Sequence, residues 1–297
     1  MHRARLIENL DLPELAPYLT MRRMEEHRKE GLFVAEGDKV VHRLIRSHFG
    51  IQSLLVLPER SAEFQEALLI RNETVPVYVA AKHVLEDLTG YAMYQGVLAI
   101  GLVPPSAELA GLIAASMPAP LFAALEGIAN SENVGALVRS AAAFGLDGLI
   151  VGETCCSPYL RRAVRNSMGG IFKLSVVESC NLMDSLRLLK SCGIQCVAAH
   201  PGARTKPLEE VDLKLGTCLV LGNEGGGLTE ATLDLCDCHA SIPMSNGIDS
   251  LNVAGAAAVG FYEADRQRRI AKAGDGRIHR NVNLNLIAHA TASPENR

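Results

Sequence analysis

The sequence predicts an α/β protein built on a parallel sheet, with a smaller α/β unit ahead of it. Three observations carry this. From residue 121 onward, short apolar runs alternate regularly with helix-length segments. Those runs lack strict apolar–polar alternation, which is the pattern of strands covered on both faces. Val103-Pro104-Pro105-Ser106 separates this region from an N-terminal stretch of different texture.

Residues 1–102 mix charged helical segments with apolar runs. Residues 31–37 read as a strand, and 39–47 as a helix with Val40, Val41, Leu44 and Ile45 on one face. Residues 53–57 form a strand stopped by Pro58, and 76–79 and 96–102 are two more. Strands and helices in alternation imply a small α/β layer. Residues 103–118, Ala-rich and bounded by prolines, read as a linker with room for one helix. In the unit spanning 119–271, strands are expected at 121–125, 148–151, 172–177, 195–199, 218–221 and 240–243. Helices are expected at 133–144, 159–167, 182–191, 229–235 and 252–269. Residues 272–297 are polar without a clear period and read as a loosely ordered tail.

A composition of 48% hydrophobic and 21% charged residues supports a sizeable core, built without Trp. The net charge of −4 excludes a surface that is cationic throughout, but leaves room for local phosphate-binding patches. Three basic groups exist. Arg22, Arg23, Arg28 and Lys29 are interleaved with Glu25, Glu26 and Glu30, and read as a solvated helix face. Arg161, Arg162, Arg165 and Lys173, and then Arg266, Arg268, Arg269 and Lys272, read equally as phosphate patches or solvated faces. Eight cysteines show no paired framework, the chain starts without a signal segment, and the most apolar stretch is broken by Pro118 and Pro120. A cytoplasmic protein with reduced thiols and no membrane span is expected. Cys236, Cys238 and His239 lack a second ligand pair, so no metal site is expected.

In a parallel sheet, ligands bind beyond the carboxyl ends of the strands. Leu221 to Leu228 is a Gly-rich turn between a strand and a helix, and is neither a dinucleotide fingerprint nor a P-loop. As a tight turn it needs no ligand, whereas as a binding loop it lets backbone approach one. Ile242 to Ala254 ends a strand and opens the last helix, with Ser250 or Asn252 placed as its cap. Asn130 to Arg139 also runs from a strand end into a helix, and Arg139 stands on a face otherwise of Ala, Val and Leu. A guanidinium there calls for an anionic partner, whether a salt bridge or a ligand.

These three elements, in this order, resemble the signature motifs of the SpoU-type (TrmH-like) ribose methyltransferases of the SPOUT superfamily. They are Asn133-Val-Gly-Ala-Leu-Val-Arg139, Leu219-Val-Leu-Gly-Asn-Glu-Gly-Gly-Gly-Leu228, and Ile242-Pro-Met through Ser250-Leu-Asn-Val-Ala254. The stretch 23–47, with Phe33-Val-Ala-Glu-Gly37, resembles the ribosomal-protein-like RNA-binding domain that often precedes this catalytic domain. The resemblance implies a C-terminal trefoil knot, a homodimer partly joined by the last helix, and S-adenosylmethionine bound in the knotted loops. It places His200, Gly202, Leu221, Gly222, Glu224, Ile242, Met244, Leu251 and Asn252 at the cofactor, and Arg139, Asn252, Ser250, Asn133 and Glu224 at the chemistry. The implied activity is methylation of a ribose 2′-hydroxyl in RNA, 23S-type ribosomal RNA ahead of transfer RNA.

A ribose hydroxyl is a poor nucleophile, so its proton must leave or its developing charge must be stabilised. Arg139, always protonated, suits holding a phosphate and stabilising the alkoxide better than acting as a base. Asn252 would orient the hydroxyl or the cofactor, and Glu224 would anchor its loop through backbone amides. Asp249, in the Asn246-Gly247-Ile248-Asp249 loop of the third motif, whose middle varies in the family, would put negative charge near the RNA path. A non-catalytic RNA-binding or ribosome-assembly protein on the same fold is the rival from another class, and loss of Arg139, Asn252 or the glycines would favour it. A nicotinamide-dependent oxidoreductase is a more distant rival, without its glycine fingerprint.

Overall fold

The computed structural model describes residues 4–10, 12–21, 23–89, 96–202 and 205–274. The expected tail at 272–297 thus falls almost wholly outside the described residues. Two sheets organise the chain. The first contains β1 (Ala4–Leu6), β2 (Leu32–Glu36), β3 (Ile51–Val56), β4 (Val77–Val79) and β5 (Val97–Leu102), in the order β1-β4-β3-β5-β2. β5 runs antiparallel to both its neighbours, and the other pairs are parallel.

The second sheet contains β6 (Leu121–Leu125), β7 (Gly148–Val151), β8 (Val176–Glu178), β9 (Gln195–Ala199), β10 (Lys206–Pro207), β11 (Thr217–Leu221) and β12 (Cys238–Ser241). Its order is β10-β12-β9-β11-β6-β7-β8, and every pair is parallel. Every residue of β6, β7 and β11 is buried, as unbroken apolar runs between two helix layers require. The longest helix, Val253–Gly274, closes the domain with Ala257, Phe261 and Ala264 in the core.

One expectation changes. The strand expected at 172–177 is a tight helical turn at Gly170–Lys173 followed by the short β8. Ile171, Phe172 and Leu174 are buried all the same, but they reach the core from a turn. The segment 103–118 carries the helix Leu109–Ser116, capped by the Glu108 carboxylate on the amides of Ala110 and Gly111. Leu109 and Ile113 pack beside Phe122, so this connection lies on the sheet.

The basic groups also change meaning. Arg161 Nε and Nη2 both donate to Oε2 of buried Glu36, each at 2.8 Å, and Arg165 stands 3.4 Å from Oε1. These arginines tie the two sheets together, beside a cluster in which Phe33 and Phe49 meet Phe172 at 5.8 and 5.3 Å. Arg268 donates to the carbonyls of Ala119, Pro120 and Leu213, while Arg266 and Arg269 pair with Glu263 and Asp265. Arg23 pairs with Glu26. Arg162 and Lys173 stay exposed. Among the described residues, no helix is long and apolar enough to cross a membrane.

Candidate active site

The three motifs meet at the carboxyl ends of β6, β11 and β12. Asn130 starts the helix Ser131–Ala143, its side-chain oxygen accepting from the amides of Glu132 at 2.8 Å and Asn133 at 3.4 Å. That cap fixes the first turn and turns Asn133 toward the other loops. Asn133 Nδ2 donates to Glu224 Oε1, and Asn133 Oδ1 accepts from Asn252 Nδ2 at 3.1 Å. Three side chains from three motifs, 91 and 119 residues apart, thus form one hydrogen-bonded chain. Each such bond is worth about 1 kcal/mol net, which is enough to select rotamers but not to hold the fold.

Asn252 does two jobs. Its Oδ1 accepts from the amide of Ala254 at 2.9 Å, capping the last helix, while its Nδ2 reaches Asn133. The cap expected of this residue is therefore present, and its amide nitrogen is left to bond across to the first motif. Ser250 does not join: it is exposed and has no hydrogen-bond partner among the described residues. Arg139 is exposed on a helix whose Val134, Leu137, Val138 and Ala141 are buried, and it forms no ion pair among the described residues. The salt-bridge alternative for Arg139 is therefore not what the structure shows.

The Gly-rich loop is a closed turn. Asn223 and Gly227 exchange backbone hydrogen bonds at 3.1 and 2.9 Å. A Cβ on Gly222 would lie 2.4 Å from the Gly227 carbonyl carbon and 2.6 Å from the Leu228 nitrogen, so only glycine fits. The expected anchor through backbone amides is not Glu224, whose carboxylate takes the Asn133 amide instead. It is Asn223, whose Oδ1 accepts from Gly225 at 2.7 Å and Gly226 at 3.3 Å, while Nδ2 donates to Gly127 O at 2.6 Å. The signal was in the sequence: an Asn heading a glycine run forms this kind of turn. Glu126 also escaped the sequence reasoning. It accepts from Thr229 and Thr232 and pins the next helix to the end of β6.

A narrow apolar cleft lies between the ends of β9, β11 and β12 and the last helix. Leu221 and Ile242 are in its wall with Ala199, Leu208, Ser241 and Gly260, and Ser241 is the one polar side chain there. Gly222 and His200 directly follow wall residues. His200 Nδ1 is buried without a hydrogen-bond partner among the described residues, a donor or acceptor held out of water. Met244 is half-buried, whereas Gly202 and Leu251 are exposed, so these last two do not close the cleft as it stands.

The thiols nearby are poor nucleophiles. Burial pushes Cys156 up to about 11, and burial raises Cys155 as well, whose sulfur accepts from the Ile128 amide at 3.3 Å. At the opposite, amino end of β12, Cys236 is pushed up to about 12 by burial, and His239 Nε2 lies 3.0 Å from the Leu233 carbonyl.

Comparison with known proteins follows the same lines. The SpoU rRNA Methylase family model matches residues 120–262, and the MRM3-like substrate binding domain matches 18–99. An uncharacterized tRNA/rRNA methyltransferase of Mycobacterium tuberculosis is 35% identical over 248 residues, covering 82% of this chain and 84% of its own. The chain belongs to the SpoU rRNA methylase family. A 23S rRNA (guanosine-2'-O-)-methyltransferase, RlmB, of Xanthomonas campestris is 33% identical over 67% of this chain and 80% of its own. Among solved structures, the SpoU methyltransferase AviRb of Streptomyces viridochromogenes in complex with AdoMet matches with a TM-score of 0.73. It is 26% identical, over 87% of this chain and 98% of that one. The protein is thus a SpoU-family RNA methyltransferase, with a parallel-sheet catalytic fold preceded by a substrate-binding domain.

Proposed function

We propose that this chain transfers a methyl group from S-adenosylmethionine to a ribose 2′-hydroxyl of ribosomal RNA, working as a homodimer. The observation that carries the reading is the Asn133–Glu224–Asn252 chain at the start of the helix from which Arg139 projects, exposed and without an ion pair among the described residues. The RlmB relative supports the 2′-oxygen and the ribosomal substrate by its name, and AviRb supports the donor.

The residues present suit that donor. Leu221 and Ile242 offer apolar walls, Gly222 leaves backbone open to close approach, and the buried His200 Nδ1, without a partner among the described residues, suits a polar group of the donor. When bound, S-adenosylmethionine supplies a methyl already activated by its sulfonium. The chain then has to position and stabilise. Arg139, without an ion-pair partner among the described residues, holds the phosphate next to the target ribose and stabilises negative charge growing on the 2′-oxygen. Asn133 and Asn252, locked to each other, orient the hydroxyl for in-line attack. Glu224 fixes the Asn133 rotamer. The raised Cys155 and Cys156 thiols take no part as nucleophiles.

Leu251, Val259 and Tyr262 are exposed at 42%, 39% and 48% along the third motif and the last helix. In this reading a second copy covers them, and the trefoil threading implied by the motifs belongs to the same account. The test is methyl transfer from labelled S-adenosylmethionine to total RNA, with ribosomal and transfer RNA then separated. Label is expected in ribosomal RNA, and label confined to transfer RNA would move the substrate there. Arg139→Ala should abolish transfer while cofactor affinity stays within about twofold. Equal loss of both would make Arg139 a structural residue.

A further inference from the structure

We propose that Arg43, in the N-terminal domain, is a positioning residue for Arg139, acting through the turn at residues 168–170. The proposal rests on the reading of Arg139 as the residue that meets the reacting ribose.

Arg43 lies on the helix Asp38–Ile45, and its Nη1 donates to the carbonyl oxygen of Met168, 125 residues away. Its stem lies along the same turn, since a Cβ added to Gly169 would stand 2.9 Å from both Cβ and Cδ of Arg43. The turn has an unusual backbone. Met168 has φ 50° and Gly169 φ 76°, and a left-handed residue other than glycine persists only where its surroundings over-determine it. Two groups do so here. The Ser167 hydroxyl accepts from the Gly169 amide at 3.2 Å and donates to Val164 O at 2.7 Å, and Arg43 grips the Met168 carbonyl from the other domain.

The far side of the turn lies on the helix Ser131–Ala143. A Cβ on Gly170 would sit 3.2 Å from the Cα of Arg139 and 3.3 Å from Val138 O. A shift of a few tenths of an ångström in the turn is therefore passed to the backbone from which Arg139 projects, because packed interiors transmit displacement rather than absorb it. The Arg139 side chain has no partner of its own among the described residues, so its aim depends on that backbone. Phe172, two residues on, is packed at 5.8 Å on Phe33 and 5.3 Å on Phe49. Arg43, the turn and Arg139 thus form one rigid link, and RNA held by the N-terminal domain is registered against Arg139 through it.

The experiment compares wild type, Arg43→Ala, Arg43→Lys, Arg139→Ala, Arg139→Lys and the Arg43→Ala/Arg139→Lys double variant. Each full-length protein is given tritiated S-adenosylmethionine and total RNA from a strain deleted for this protein. Four quantities are read: the maximum rate, the half-saturating RNA concentration, cofactor affinity by calorimetry and the urea midpoint. Arg43→Ala should lower the maximum rate tenfold or more, with half-saturating RNA and cofactor affinity within twofold. Arg43→Lys, which keeps a donor for the Met168 carbonyl, should recover most of the rate. In an Arg139→Lys background, which keeps a cation and a rate to measure, removing Arg43 should cost much less than in wild type, because residues acting as one unit are non-additive. A raised half-saturating RNA concentration with a weaker salt dependence at full rate would make Arg43 a direct phosphate contact and overturn the proposal. A lowered urea midpoint at full rate would make it structural only, and would overturn the proposal equally. The underlying reading fails separately, if Arg139→Ala itself keeps the wild-type rate. A dead Arg139→Ala beside a fully active Arg43→Ala would sink only the positioning link.

Discussion

Replacing Gly222 by alanine probes the Gly-rich loop with a single methyl. The added Cβ would meet the Gly227 carbonyl carbon at 2.4 Å, its oxygen at 2.5 Å and the Leu228 nitrogen at 2.6 Å, where ordinary contact begins near 3.4 Å. All three atoms are backbone, so no side chain can swing aside, and the two strands of the turn must part by about 1 Å, the difference between those contacts and ordinary van der Waals approach. Forcing a methyl into packed surroundings costs about 1–3 kcal/mol. If the cofactor needs the closed turn, that cost appears as a loss in affinity of about 5–150-fold. Calorimetric titration of S-adenosylmethionine into the folded variant measures it. Gly226→Ala is the control in the same loop, since a Cβ there meets nothing within 4 Å. An unchanged affinity in folded Gly222→Ala, or an equal loss in Gly226→Ala, would refute the assignment of this turn to the cofactor.

Further outcomes follow from other contacts. Asn252→Asp keeps the cap on the Ala254 amide but loses the donor to Asn133, so its melting temperature should stay near wild type while transfer falls at least tenfold. A retained rate would reduce Asn252 to a cap. Arg161→Ala leaves the Glu36 carboxylate buried with half-exposed Arg165 as its remaining arginine partner. Breaking a buried pair costs about 3–5 kcal/mol, and Arg165 holds the expected loss to the lower end. A urea-midpoint shift worth less than roughly 0.5 kcal/mol, the scatter of ordinary surface substitutions, would contradict a buried pair at the domain seam. Glu63 is held down to about 2, first by the hydrogen bond from Arg60 and then by that from His42. Its folded value lies below the unfolded one, so its contribution is complete above the ordinary carboxylate range and is lost as pH falls toward 2. Wild type should therefore lose more stability than Glu63→Gln between pH 5 and pH 2, and parallel curves would count against the Arg60–Glu63 pair.

Much of the catalytic sheet was legible because fully buried parallel strands write themselves as apolar runs. The runs at 121–125, 148–151 and 195–199 are β6, β7 and β9. The same rule misled at the start of 172–177, where Phe172 is apolar because Phe33 and Phe49 of the other domain pack on it, whereas Val176 and Val177 do lie in β8. The edge strands β1 and β10 are three and two residues long, too short to carry a period, and exist through their neighbours. Charge was the least readable signal. Arg161 looks like a phosphate ligand until Glu36, far away in sequence, is found against it. The site follows the same division. Asn133, Glu224 and Asn252 were visible as motif residues, but which side chain bonds which was not, because the partners come from loops about a hundred residues apart. Asn223 and Glu126 act on local backbone and on a neighbouring helix, and their residue types were the available clue.

The most direct test of ribose methylation is the chemical position of the transferred methyl. RNA labelled by wild-type protein with tritiated S-adenosylmethionine is hydrolysed in alkali, which cleaves beside every free 2′-hydroxyl and spares the bond beside a 2′-O-methyl ribose. Label is expected in alkali-resistant dinucleotides from wild type, and none from Arg139→Ala. Label recovered in mononucleotides would place the methyl on a base and contradict the proposed chemistry.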